Sequence, residues 1–158
     1  MSNDPKLKDL TSDQGYRAKV GLVLDDMKGK KYDAYIVEAK RTKEEQREKV
    51  KKGYSKTMNS YHLKRGKDGG GLAADIAQVD RGWNASKRFW LMLGSTAWAH
   101  GLGWGGLFGL KKSQIRAVQD AIYKLRQAGW PIEHEAYKVI CGWDLAHVQD
   151  KTNWPVYA

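Results

Sequence analysis

Apolar positions along the chain alternate between helical spacing and short β-rich runs. Tyr16, Val20, Val23 and Met27 share one face of a helix predicted over residues 12–28, with Gly29 as its stop. AYIVEA, residues 34–39, is apolar with β-formers and predicts a short strand. Thr42 and Glu45 make the Thr-x-x-Glu pattern of a capping box and open a highly charged helix to about residue 52. Residues 53–71 are polar and glycine-rich and read as a long functional loop. LAADIAQV, from Leu72, predicts a buried strand, and residues 85–99 an apolar helix closed at Gly101. Residues 113–128 carry Ile115, Val118, Ile122 and Leu125 on one stripe of a helix ended by Gly129 and Pro131. AYKVICGWDLAHVQ, residues 136–149, predicts one or two strands. Helices and strands mix without a βαβ rhythm, so the expected class is α+β, a small antiparallel sheet flanked by helices.

Composition narrows the function classes. A chain of 158 residues that is 41% hydrophobic and 29% charged is globular, long enough to bury a core, and expected to form one domain over 1–158. Its 28 Lys and Arg against 18 Asp and Glu leave a net charge of +10, most of it in residues 1–70. That balance favours polyanions, whether nucleic acid, anionic lipid or an acidic wall polymer. The single cysteine, Cys141, excludes an internal disulfide framework and any four-cysteine zinc ribbon. No apolar run approaches the ~20 residues of a membrane span. MSNDPKLKDL lacks the apolar core of a signal peptide, so the protein is expected to be made in the cytoplasm. All seven tryptophans lie in the second half and read as core and rim packing.

Among the four histidines, His62 and His147 keep suggestive company. Asp144 precedes His147 by three residues, and a catalytic zinc site commonly takes three His, Asp or Glu ligands and leaves one position open. The HExxH pattern of helical metallopeptidases is absent. His100, at a helix C-terminus, and His134 read as surface or hydrogen-bonded residues. Cys141 reads as a small strand residue, since nothing around it signals a depressed pKa.

The segment RTKEEQREKVKKGYSKTMNSYHLKRGKDGGGLAADI supplies Arg41-Thr42 with Gln46, Ser60-x-His62 and Gly71-x-Ala73-x-Asp75, and Asp144-x-x-His147 follows later. This order of motifs resembles the D-alanyl-D-alanine carboxypeptidase and L-alanyl-D-glutamate endopeptidase family of zinc peptidases. GLGWGG, residues 101–106, resembles a Trp-Gly-Gly stretch that endolysins of that family carry, and the likeness spans about residues 15–149. The resemblance implies that His62, Asp75 and His147 hold Zn²⁺ on the sheet and that Asp144 is the general base, later the acid toward the leaving amine. It makes Arg41 an oxyanion-stabilising or substrate-clamping residue, Gln46 its support, and Ser60 a substrate contact or a brace for the ligands. The 13-residue step from His62 to Asp75 is longer than the family's, and Asp68 is a competing ligand; Asp75 is preferred because it ends the Gly-Leu-Ala-Ala-Asp motif. Residues 107–142 are also longer than the family's counterpart and imply an inserted helical wall or lid.

The expected function is a zinc metallopeptidase of bacterial peptidoglycan, a monomeric phage endolysin cutting the L-alanyl-D-glutamate bond once released to the wall or periplasm. A D-alanyl-D-alanine carboxypeptidase is the second reading. A basic polyanion- or nucleic-acid-binding module is the alternative class, resting on charge alone, and no nucleic acid is expected under the leading reading.

Overall fold

A four-stranded antiparallel sheet of order β1–β2–β4–β3 carries the site, and four helices pack around it in an α+β arrangement. The structure, a computed structural model, describes residues 2–55 and 58–155; both ends of the expected 1–158 domain, and residues 56 and 57 of the 53–71 loop, lie outside the described residues.

Helix α1 (Tyr16–Gly29) buries Tyr16, Val20, Val23, Leu24 and Met27, which includes the whole expected stripe. It starts later than residue 12 because Gln14 and Gly15 adopt positive φ, 52° and 76°, and close a separate 3₁₀ turn over Asp13–Gly15. Strand β1 spans Ala34–Glu38. Helix α2 (Lys43–Lys51) opens on the full capping box: Thr42 Oγ1 accepts from the Glu45 amide and Glu45 Oε1 accepts from the Thr42 amide, each at 3.1 Å. Strand β2 spans Ala73–Gln78 and lies between β1 and β4.

Helix α3 (Lys87–Ala99) is capped by Ser86 and buried on every side from Phe89 to Ala97, because it packs against α1, β3 and helix α4 (Lys112–Ala128) at once. The α4 stripe is buried at Val118, Ile122 and Leu125, and Ile115 packs against its edge. Strand β3 (Gly103–Trp104), absent from the sequence expectation, pairs with β4 (His147–Gln149).

Within residues 136–149 only β4 is a strand. Glu135–Lys138 is a 3₁₀ turn, and residues 139–145, with Cys141, cross the Gly105–Leu107 turn instead of pairing in the sheet, which the chain rejoins where the Ala146 carbonyl accepts from the Ile76 amide at 2.9 Å. The backbones meet closely there. The Gly142 amide donates to the Gly106 carbonyl and the Asp144 amide to that of Gly105, at 3.3 Å for the latter. A Cβ on Gly105 would strike the Asp144 carbonyl, and one on Gly142 the backbone of Phe108. Hydrogen bonding to a turn therefore replaces strand pairing in this segment.

Candidate metal centre

Sheet register brings the chemistry together. Glu38 of β1 faces Asp75 of β2, and Asp75 faces His147 of β4, so the three form one row across the sheet. A register irregularity between Ile36 and Glu38 puts Glu38 in that row. His62 arrives from outside the sheet, on the 3₁₀ turn Tyr61–Leu63. Its backbone is held there: the Arg41 amide donates to the His62 carbonyl at 2.9 Å, Arg65 Nη1 donates to the same oxygen at 2.8 Å, and Ser60 Oγ accepts from the His62 amide at 3.2 Å.

The long step to Asp75 closes because Asp68 ties the loop down. Its carboxylate accepts from Thr11 Oγ1, the Ser12 amide and hydroxyl, and the Gly70 amide, at 2.7–3.0 Å. Those bonds, led by the Ser12 amide, hold Asp68 well below the usual carboxylate range. Asp68 therefore braces the loop, and Asp75 is the carboxylate that meets the histidines.

His62 Nε2 lies 3.0 Å from Asp75 Oδ1, and His147 Nδ1 lies 3.8 Å from that same oxygen. One ligand atom from each of the three residues falls within 4.8 Å of the others. Asp144 Oδ2 is 3.8 Å from His147 Nδ1. Arg41 is 5% exposed, with Nη2 3.7 Å from Asp75 Oδ2. Glu38 grips the same guanidinium through Nε at 2.6 Å and Nη2 at 3.0 Å, while Gln46 Oε1 accepts from Nη1. Gln46 Nε2 donates to Ser55 Oγ at 2.8 Å. Arg41 is thus a fixed positive charge rather than a mobile surface one.

The electrostatics follow from this crowding. Burial pushes the Asp75 carboxyl up, but the His62 hydrogen bond and the charges of His62, His147 and Arg41 outweigh it and leave its pKa lowered. Glu38 behaves alike, with burial opposed by its bond to Arg41. At Asp144 burial and then the Asp75 charge outweigh the charges of His62 and Arg41 and raise the carboxyl to about 7. His147 is driven down to about 4, chiefly by burial, so it is neutral near pH 7.

Arg41, His62, Asp75, Asp144 and His147 line a cleft of about 590 Å³, together with Ser60, Tyr61, Asn59 and Lys49. Its walls are aromatic: Tyr54, Trp83 and Trp143 expose 75%, 60% and 44% of their surface, and Phe108 lies between Trp143 and His147. Trp83 is held by stacking on Trp90 at 6.4 Å between centroids. Sequence reasoning passed over Glu38, Gln149 and the aromatic walls. Gln149 carries a signal in retrospect, since two residues along a strand returns to the same face as His147. Glu38 carries none short of the register. His100 pairs with Asp26 at 2.6 Å, and His134 Nδ1 accepts from the Ala136 amide at 3.0 Å; neither lines the cleft. Burial raises the Cys141 thiol, the opposite of an activated nucleophile.

The residues fit a divalent metal. His147 Nδ1 is buried with no hydrogen-bond partner among the described residues, and it faces two carboxylate oxygens at 3.8 Å. Among the described residues, three carboxylates, Glu38, Asp75 and Asp144, stand against one buried cation, Arg41, before the Lys49 ammonium at the rim is counted. Two imidazoles and a carboxylate are a donor set that suits zinc, with Asp144 beside it and not needed as a ligand.

No family model and no curated protein matches the sequence. Among solved structures, the chain is similar to the L-Ala D-Glu endopeptidase ChiX of Serratia marcescens, with a TM-score of 0.52, 18% identity, and coverage of 92% of this chain and 83% of that one. At that identity the two share a fold.

Proposed function

We propose that this protein is a zinc-dependent peptidase of bacterial peptidoglycan that cuts the L-alanyl-D-glutamate bond of stem peptides, in the manner of a phage endolysin. The observation that carries the reading is the His62–Asp75–His147 cluster with Asp144 beside it at the floor of an open cleft. The fold shared with an L-Ala D-Glu endopeptidase supports the same substrate class.

His62 Nε2, Asp75 Oδ1 and His147 Nδ1 would hold the ion. When bound, zinc supplies Lewis acidity for the amide carbonyl and lowers the pKa of a water to about 7. Asp144, 3.8 Å from His147 Nδ1, takes the proton released from the attacking water and passes it to the leaving amine. Arg41, fixed by Glu38 and Gln46, contributes the standing positive charge toward the developing oxyanion. Ser60 braces His62 through its amide.

An endopeptidase is favoured over a carboxypeptidase by the state of the cations. Among the described lining residues these are Arg41 and Lys49, and both lie on Glu38, at 2.6 and 3.6 Å, so neither stands ready for a terminal carboxylate. The net charge of +10 would draw the enzyme to anionic wall polymers.

Digestion of purified peptidoglycan, with and without chelator and with zinc restored, tests the proposal by mass spectrometry of the released ends. New N-terminal D-glutamate, abolished by chelation, is the expected result. Free D-alanine would replace the endopeptidase by the carboxypeptidase, and no cleavage with zinc bound would overturn the enzyme reading.

A further inference from the structure

We propose that Gln149 is a positioning residue that fixes His147 as its Nε2–H tautomer and so aims the Nδ1 lone pair into the metal centre. The inference rests on reading His62, Asp75 and His147 as that centre. Gln149 is 6% exposed and shares a sheet face with His147, two residues before it on β4.

The amide of Gln149 has two ends, and the fold decides which faces which. One end lies 2.9 Å from the Lys151 carbonyl oxygen. A carbonyl can only accept, so that end is the NH₂ group and it donates. The other end is therefore Oε1, an acceptor, and it lies 2.9 Å from His147 Nε2. Nε2 must then carry the hydrogen. A neutral imidazole carries one, which leaves Nδ1 as a lone pair. Reversing the amide would set two acceptors, Gln149 Oε1 and the Lys151 carbonyl, against each other, whichever tautomer His147 adopts.

The fixed tautomer matters because of what surrounds Nδ1. Asp75 Oδ1 and Asp144 Oδ2 both lie 3.8 Å from it. Without an acceptor at Nε2, the hydrogen is drawn to Nδ1, where two carboxylates attract it, and a metal has to displace it before binding. Gln149 removes that competitor in advance. Gly103 makes room for the arrangement from the opposite strand: it pairs with Gln149, and a Cβ there would meet Gln149 Cγ at 2.8 Å and collide with the Lys151 carbonyl.

The test uses the full chain with ¹⁵N-labelled histidine. Long-range ¹H–¹⁵N spectra of the metal-free protein at neutral pH report the His147 tautomer directly, and competition with a chromophoric chelator gives the zinc dissociation constant. Wild type is expected to show Nε2–H. Gln149→Leu is expected to move the hydrogen to Nδ1 and weaken zinc binding roughly 10- to 100-fold, the usual consequence of losing a ligand's orienting partner. Gln149→Glu, which keeps an acceptor for Nε2, is expected to restore the tautomer and most of the affinity. Nδ1–H in the wild type overturns the proposal, even if Gln149→Leu fails to fold. So does a folded Gln149→Leu with unchanged tautomer and affinity. A wild type that holds Nε2–H yet binds no zinc overturns the metal reading and leaves the tautomer assignment standing.

Discussion

Replacing Asp144 by Asn separates the electrostatics of the site from its chemistry. Asn keeps the shape of the side chain and removes its charge. In the folded protein burial and the Asp75 charge hold the Asp144 carboxyl at about 7, against an ordinary value of 3.8. At about 1.4 kcal/mol per tenfold change in acidity, that gap corresponds to roughly 4 kcal/mol. The side chain is 30% exposed, and water reaching it screens the interaction, so about 2 kcal/mol is the working figure. A raised carboxyl contributes its stability in full below the unfolded value and loses it as pH climbs through the folded one. Metal-free Asp144→Asn should therefore melt above the wild type at pH 8, by about 4–8 °C for a chain of this size, with the gap closing by pH 4. His147, held down to about 4, destabilises the fold as pH falls below 6.5, but it does so in both proteins. Zinc should erase the difference, because a cation beside Asp144 favours the carboxylate, while turnover of the variant falls on the order of 10²- to 10⁴-fold. Scanning calorimetry from pH 4 to 8.5, with chelator and with zinc, reads the first effect, and peptide release from peptidoglycan reads the second. Coincident melting at pH 8 without metal would refute the account of Asp144 as a carboxylate held against its environment. Full activity in the variant would remove it as the base.

Three further outcomes follow from the same geometry. His147→Ala should abolish stoichiometric zinc uptake as well as turnover, measured by metal analysis after gel filtration; full occupancy would remove His147 from the ligand set. Trp83→Ala should raise KM several-fold at unchanged kcat, since Trp83 is a rim side chain propped on Trp90 and away from the reacting groups, and an unaltered KM would take it off the substrate surface. Gly94→Ala puts a Cβ about 2.5 Å from Cε3 of the buried Trp104 ring and should destabilise the fold by about 1–3 kcal/mol in denaturant titrations; an unchanged midpoint would mean that the α3–β3 contact has slack.

Local chemistry accounts for what the sequence determined unaided. The α1 and α4 stripes, the Thr42–Glu45 capping box and the buried run of α3 depend on residues within a turn or two of one another, and their signals survive folding because nothing distant contradicts them. Departures begin where the chain answers to a partner far along the sequence. Residues 139–145 look like strand but bond to the Gly105–Leu107 turn, and β3 is two residues long and exists because β4 lies beside it. His62, His147 and Asp144 were legible as candidates from residue type and spacing, and Asp75 from the resemblance its motif carries, while their meeting was not. That Asp75 and not Asp68 faces the histidines was settled by tertiary structure, through four hydrogen bonds from Thr11, Ser12 and Gly70 that commit Asp68 to the loop. The row of Glu38, Asp75 and His147 likewise depends on register between strands, since these residues lie 37 and 72 positions apart in the chain. Sequence specifies which groups can bind a proton or a metal; only the pairing of the sheet sets their distances and burial, and those decide how each one titrates.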